Sequence, residues 1–169
     1  GLTLIGIVLA IVTPRINASK ENVLVEQTIK SLSLFAEKID ETLDHDPGNI
    51  RLVREFVMQK GEMVVDAPND RIVITLKELD TEYSEPGAEI DVGRIKVVTT
   101  TGQRTNMVTL TLSYEGIANL TYGPDPSDSD SKQQRFSESA TPYKFKITNL
   151  GNAQPGELFI INIEEISGT

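Results

Sequence analysis

The chain has 169 residues and a formal charge of −9 from 16 basic and 25 acidic side chains, with no cysteine, no tryptophan and one histidine, His45. That length suits one ordinary domain plus an appendage. The acidic balance argues against sequence-independent nucleic-acid binding, which needs a basic face to displace counterions. Without cysteine there is neither a disulfide nor a thiolate metal site, and a single histidine removes most imidazole-based metal and triad chemistry.

From Gly1 to Pro14 there is no charge, and the only polar side chains are Thr3 and Thr13. Eight large aliphatic residues fall in this run: Leu2, Leu4, Ile5, Ile7, Val8, Leu9, Ile11 and Val12, with Ile16 just beyond. Each is worth roughly 1.5–3 kcal/mol when kept out of water, so the run as a whole carries a driving force on the order of 10–20 kcal/mol toward cover. It is shorter than the ~20 residues that a bilayer-spanning helix needs. The chain begins with Gly rather than Met, so residues upstream are expected to have been processed away or left out. The cover must come from a membrane, from copies of the chain or from another protein. Gly6, Ala10, Thr3 and Thr13 would let helices approach closely. Pro14 cannot bond to the Ala10 carbonyl and crowds it, which predicts a kink near residues 10–15.

A second helical pattern follows. Val25, Ile29, Leu32, Ala36, Ile39 and Leu43 recur at spacings of four and three, a single apolar stripe. Glu21, Glu26, Lys30, Glu37, Lys38, Asp40 and Glu41 occupy the other faces. Asp46-Pro47-Gly48-Asn49 is a strong stop signal. No Gly or Pro lies between Arg15 and Asp46, so arm (1–16) and stem (17–46) are predicted to form one helix of about 45 residues, roughly 65–70 Å long. The stripe is expected to bury itself against one face of a sheet, with a free coiled coil as the alternative. His45, between Asp44 and Asp46, is placed to favour the negative end of the helix dipole.

After Pro47 the pattern alternates with a period of two. Strands are predicted at 51–58, 62–66, 71–77, 93–100, 104–114, 117–122, 142–149 and 157–164, separated by Ala67-Pro-Asn-Asp70, Glu85-Pro-Gly87, Thr101-Gly102 and Gln154-Pro-Gly156. Short strands at this spacing predict a β-sandwich or small barrel over 47–169. Residues 123–141 are polar, hold one large apolar residue, Phe136, and read as an exposed mobile loop.

Sites of chemistry are sparse. Asp125, Asp128 and Asp130 lack the central glycine and distal glutamate of a calcium loop and read as a solvated acidic segment. Glu78, Asp80, Glu82 and Glu85 read as a charged connection between strands. No nucleophile elbow, phosphate loop, dinucleotide fingerprint or zinc-protease motif occurs. The expectation is therefore a non-enzyme without metal or cofactor. Two sequons, Asn17-Ala18-Ser19 and Asn119-Leu120-Thr121, are candidate glycosylation sites. Asn119 is the better acceptor, near a strand end. Asn17 lies where the arm would meet solvent or another subunit.

The order of uncharged arm, amphipathic helix and β-rich head resembles the type IV pilin superfamily, in particular its archaeal pilin and archaellin branch. The start Gly1-Leu2-Thr3-Leu4-Ile5 is similar to the region where a prepilin peptidase cuts beside the glycine. Bacterial pilins place a glutamate where Gly6 stands here, whereas archaeal relatives generally lack that acid. The resemblance implies an α+β fold: a long N-terminal hydrophobic and amphipathic helix followed by an all-β, immunoglobulin-like sandwich head. It also implies a subunit of an extracellular filament, held in the membrane before assembly and then packed against copies of itself. The head would meet surface-layer or host-surface ligands in adhesion or motility. The rival expectation is a single-pass membrane-anchored surface ectodomain.

Overall fold

The computed structural model describes residues 2–125 and 132–166, with the side chains of the first helix described from Lys20 onward. One helix, α1, spans Leu2–Leu43, and Pro14 falls within that span. Good helix formers dominate its stem, and two threonines on the buried arc turn their hydroxyls back onto the helix. Thr28 Oγ1 donates to the Leu24 carbonyl (2.8 Å) and Thr42 Oγ1 to the Ile39 carbonyl (2.6 Å), which satisfies groups that would otherwise be costly to bury. The helix ends as the sequence predicts, with Pro47 and Gly48 just past a last turn that closes through His45 N–H to the Thr42 carbonyl.

Among the described residues ten strands follow: β1 Ile50–Phe56, β2 Gly61–Asp66, β3 Arg71–Leu79, β4 Glu89–Val92, β5 Ile95–Thr101, β6 Asn106–Ser113, β7 Asn119–Tyr122, β8 Gln133–Ser137, β9 Tyr143–Asn149 and β10 Ile160–Glu165. They form two sheets, one in the order β1-β9-β10-β7 and the other in the order β4-β5-β6-β3-β2-β8. All pairings are antiparallel except β10 with β7. Alternation sets the inner faces. Ile72, Ile74 and Leu76 of β3 stand opposite Leu112, Leu110 and Val108 of β6, and all six are buried. Val53, Phe56, Phe145, Ile147, Ile161 and Ile163 line the other sheet. At the start of β2, a Cβ on Gly61 would lie 2.0 Å from the Thr75 carbonyl oxygen, so only glycine lets β2 lie this close to β3.

The stem helix belongs to this same core. Val25, Ile29, Leu32, Ala36 and Ile39 are buried in it, with Leu43 packed at its margin. Its neighbours come from both sheets: β1, β9 and β10 of one, β5 and β6 of the other. The expectation of a stripe lying on one sheet face is corrected accordingly. A helix touching two sheets needs a wider apolar arc than one lying on a single face. The extra width comes from Phe35, fully buried, whose ring meets Phe56 and Phe145 edge-on at centroid distances of 5.9 and 5.4 Å.

Each of the eight predicted strands overlaps an observed one, and two strands were not foreseen. In β4 all four residues are exposed, so no buried face marks it. It is held to β5 through the two-residue Gly93-Arg94 turn. The other, β8, lies inside the predicted mobile loop 123–141, and this is a correction. Phe136 is buried and packs edge-on against Tyr122, Tyr143 and Phe145. Polar clamps hold the strand to β2: Gln133 Nε2 donates to Asp66 Oδ1 (2.9 Å) and Arg135 to Glu62 (3.0 Å). Asp128 and Asp130 lie outside the described residues.

Candidate assembly surface

The head grips α1 at three heights. At the C-terminal end, the side chain of Asn149, the last residue of β9, donates from Nδ2 to the Thr42 carbonyl (2.9 Å) and to the His45 carbonyl (3.3 Å). Its Oδ1 accepts from the Gly151 N–H (2.8 Å). His45 Nδ1 lies 2.6 Å from the Glu41 carbonyl, where it donates. The Glu41 carbonyl and the Thr42 carbonyl, which otherwise takes only the long bond from the His45 N–H (3.4 Å), thereby gain partners at the end where a helix's own ladder runs out.

Midway, Tyr114 lies fully buried and its hydroxyl shares its one proton between the Ala36 carbonyl and Asp40 Oδ1, both at 3.3 Å. The Arg94 guanidinium stands 5.5 Å from the centre of the Tyr114 ring and pairs with Asp40 Oδ2 at 3.3 Å. Burial, reinforced by the Asp40 charge, pushes the Tyr114 phenol well above the ordinary tyrosine range. Higher up, the Glu21 carboxylate accepts the Asp80 N–H at 2.8 and 3.1 Å. On the surface Glu41 meets Arg51 (2.9 Å) and Lys38 (3.4 Å). The Arg51 hydrogen bond is the chief reason its carboxyl sits below the usual range.

Beside the buried arc of the stem, α1 and the head leave a partly open face. Leu24, Gln27, Ser31 and Leu34, at spacings of three and four, form with Val57 and Gln59 a shallow groove rimmed by Lys30 and Glu37. Leu34 is 46% and Val57 39% exposed. Sequence reasoning passed over Leu24 and Leu34, because the polar Gln27 and Ser31 stand between them on that face and leave no apolar stripe to read. A groove of this make-up can bury apolar contact.

Of the residues singled out from sequence, Leu2, Leu4, Ile5, Ile7, Val8, Leu9, Ile11, Val12, Ile16 and Asn17 have side chains outside the described residues, and so has Pro14 with its expected kink. Asn119 is exposed at the first position of β7, whereas Thr121 of the same sequon is buried. The acidic connection Glu78 to Glu85 is not brought together as a site. The Glu78 carbonyl faces Lys60 Nζ (3.5 Å), and the Asp80 backbone binds Glu21. Among the described residues no group of three or more His, Asp or Glu is arranged to hold a metal, and no helix is long and apolar enough to cross a membrane.

Comparison with protein-family models, with curated proteins and with solved structures found no match to this chain.

Proposed function

We propose that this chain is a structural subunit of an extracellular, pilus-like filament, polymerising through the hydrophobic start of α1 and displaying the β head outward. The observation that carries this reading is the division of labour along one helix. Its stem, from Val25 to Leu43, is built into the head core, while the uncharged run Leu2–Val12 lies on the same helix, outside that stretch. A rigid head fixed to an apolar rod favours repeated contact between rods. Head-to-tail contacts that do not close into a ring give an open helical polymer. Backbone groups satisfied within the helix keep the polar cost of burying the rod low. In this reading the two sheets are an immunoglobulin-like head of the archaeal pilin and archaellin type, and the partners are copies of the chain, with the membrane as its station before assembly.

Electron microscopy of the purified full chain, beside a variant lacking residues 1–16, tests the proposal. The full chain is expected to form filaments of uniform width, and the shortened chain to stay monomeric with unchanged circular dichroism in the β region. Filaments from the shortened chain, or a full chain found only in lipid with no polymer, would overturn it.

A further inference from the structure

We propose that Asn119 accepts an N-linked sugar only while β7 is unpaired, and that folding of the head closes the site by engaging the Thr121 hydroxyl. The inference is independent of the filament reading. In the transfer, the Asn119 side-chain nitrogen attacks C1 of a lipid-linked sugar phosphate. A C1–N bond forms, the C1–O bond to phosphate breaks, the lipid phosphate leaves with the electron pair, and the nitrogen gives up one proton. An amide nitrogen is a poor nucleophile, and the enzymes that use it read the acceptor triplet through the hydroxyl two residues on. That hydroxyl must be free to turn toward them.

In the folded head it is not free. Thr121 is 1% exposed, and its Oγ1 donates to Asn162 Oδ1 at 2.8 Å, while Asn162 Nδ2 donates to the Gly123 carbonyl at 2.9 Å. The backbone of the triplet is committed as well. Asn119 N–H donates to the Phe159 carbonyl (2.9 Å), Leu120 N–H to Asp70 Oδ1 (2.8 Å), and the strand pairs in parallel with β10. Leu120 is buried in the core. An enzyme that binds the triplet as an extended strand would have to undo all of these at once.

The topology also sets an order of events. Among the described residues β7 is an edge strand paired to β10, and β10 begins only at Ile160. During synthesis the triplet emerges well before the strand that covers it, so its accessible period falls before Ile160–Ile163 can pair. A sugar attached then is compatible with the finished fold, because the Asn119 side chain itself is exposed.

The test presents the full chain, carrying an appended control sequon, to membranes with N-glycosylating activity and a lipid-linked oligosaccharide donor. In one arm it is presented during translation; in the other it is added after folding. Mass spectrometry reads occupancy of the Asn119 peptide against the control sequon. Occupancy at Asn119 is expected to be at least about tenfold higher in the first arm, because modification after folding is limited to the small fraction of locally opened molecules. In the same arm Thr121→Ser keeps occupancy and Thr121→Val abolishes it. Equal occupancy of the folded and nascent chains would overturn the proposal. So would an unmodified Asn119 on nascent chains whose control sequon is filled, or unchanged occupancy in Thr121→Val.

Discussion

Asn149 and Thr42 are joined by a hydrogen bond of 2.9 Å from the end of β9 to the last turn of α1. The contact is local in space and remote in sequence, and it fixes where the helix stops relative to the head. Asn149 is fully buried, and its amide serves three backbone groups: the Thr42 and His45 carbonyls and the Gly151 N–H. Asn149→Ala leaves the buried Gly151 N–H without this acceptor and the Thr42 carbonyl with only the long bond from the His45 N–H (3.4 Å), and each buried polar group left without a partner costs about 1–3 kcal/mol. Urea unfolding is expected to show a loss of about 2–4 kcal/mol. Asn149→Asp should be at least as damaging, since it sets a carboxylate oxygen against a carbonyl. A midpoint unchanged in Asn149→Ala would show that the clamp does not hold the helix.

Neighbouring positions on α1 should respond in opposite ways. Phe35 is fully buried between Phe56 and Phe145, so Phe35→Ala removes a ring from the centre of the core and is expected to cost about 3–5 kcal/mol. Leu34, one residue earlier, is 46% exposed in the open groove, and Leu34→Ala should stay within about 0.5 kcal/mol of the parent. Chemical denaturation of the two variants side by side checks the contrast. Comparable losses would place Leu34 in the core and remove the groove.

Much of this architecture was legible before the structure, because period is a strong signal. The stem stripe from Val25 to Leu43, the stop at Pro47-Gly48 and eight strands all follow from apolar spacing and turn residues. What escaped did so for physical reasons. β4 shows solvent on both faces, so its Glu-Ile-Asp-Val alternation marks no core. Phe136 is one apolar residue in a polar stretch, and its anchoring partners Tyr122, Tyr143 and Phe145 come from other strands. Asn149 reads in sequence as an ordinary strand-end residue, since the carbonyls it caps belong to a distant segment. The candidate surface was half visible: the uncharged run stands out in the sequence, whereas the Leu24 to Leu34 groove needs Val57 of a following segment to complete it.

Asp66 supplies an acid-sensitive link between the third and eighth strands. It is nearly buried, and Gln133, Arg71 and Asn69 all donate to its carboxylate at 2.8–3.1 Å. Burial alone would push its carboxyl up. The hydrogen bonds from Gln133, Arg71 and Asn69, together with the Arg71 charge, outweigh burial and hold it below the usual carboxylate range. A group depressed on folding adds stability that is present above its unfolded value, about 3.9, and is lost as pH falls through the folded value. Unfolding midpoints measured from pH 7 downward should therefore hold until about pH 4 and drop below it. In Asp66→Asn the stability at neutral pH is lower and the acid-dependent fall shallower. A variant with the same acid slope as the parent would move that sensitivity to other carboxylates, Glu41 and Glu62 first, since both are also held low.

Tyr114 carries the opposite sign at the alkaline end. Its ring is fully buried and its hydroxyl shares its one proton between Ala36 and Asp40, while burial and then the Asp40 charge push its phenol above the ordinary value. A phenol raised on folding contributes stability that is complete below the unfolded value, about 10, and lost as pH rises toward the folded one. Ultraviolet titration should show one tyrosine that ionises only as the head unfolds. In Tyr114→Phe this delayed step disappears and the alkaline unfolding limb moves to higher pH. At neutral pH the substitution costs only about 0.5–1.5 kcal/mol, the worth of a hydrogen bond lost while the ring stays packed. Tyr114→Ala, which also empties the space beneath Arg94, should cost about 3–5 kcal/mol. If Tyr114→Phe proves as destabilising as Tyr114→Ala, the grip on the middle of the helix comes from the hydroxyl rather than the packed ring. An unchanged alkaline limb in Tyr114→Phe would instead separate this tyrosine from the alkaline transition altogether.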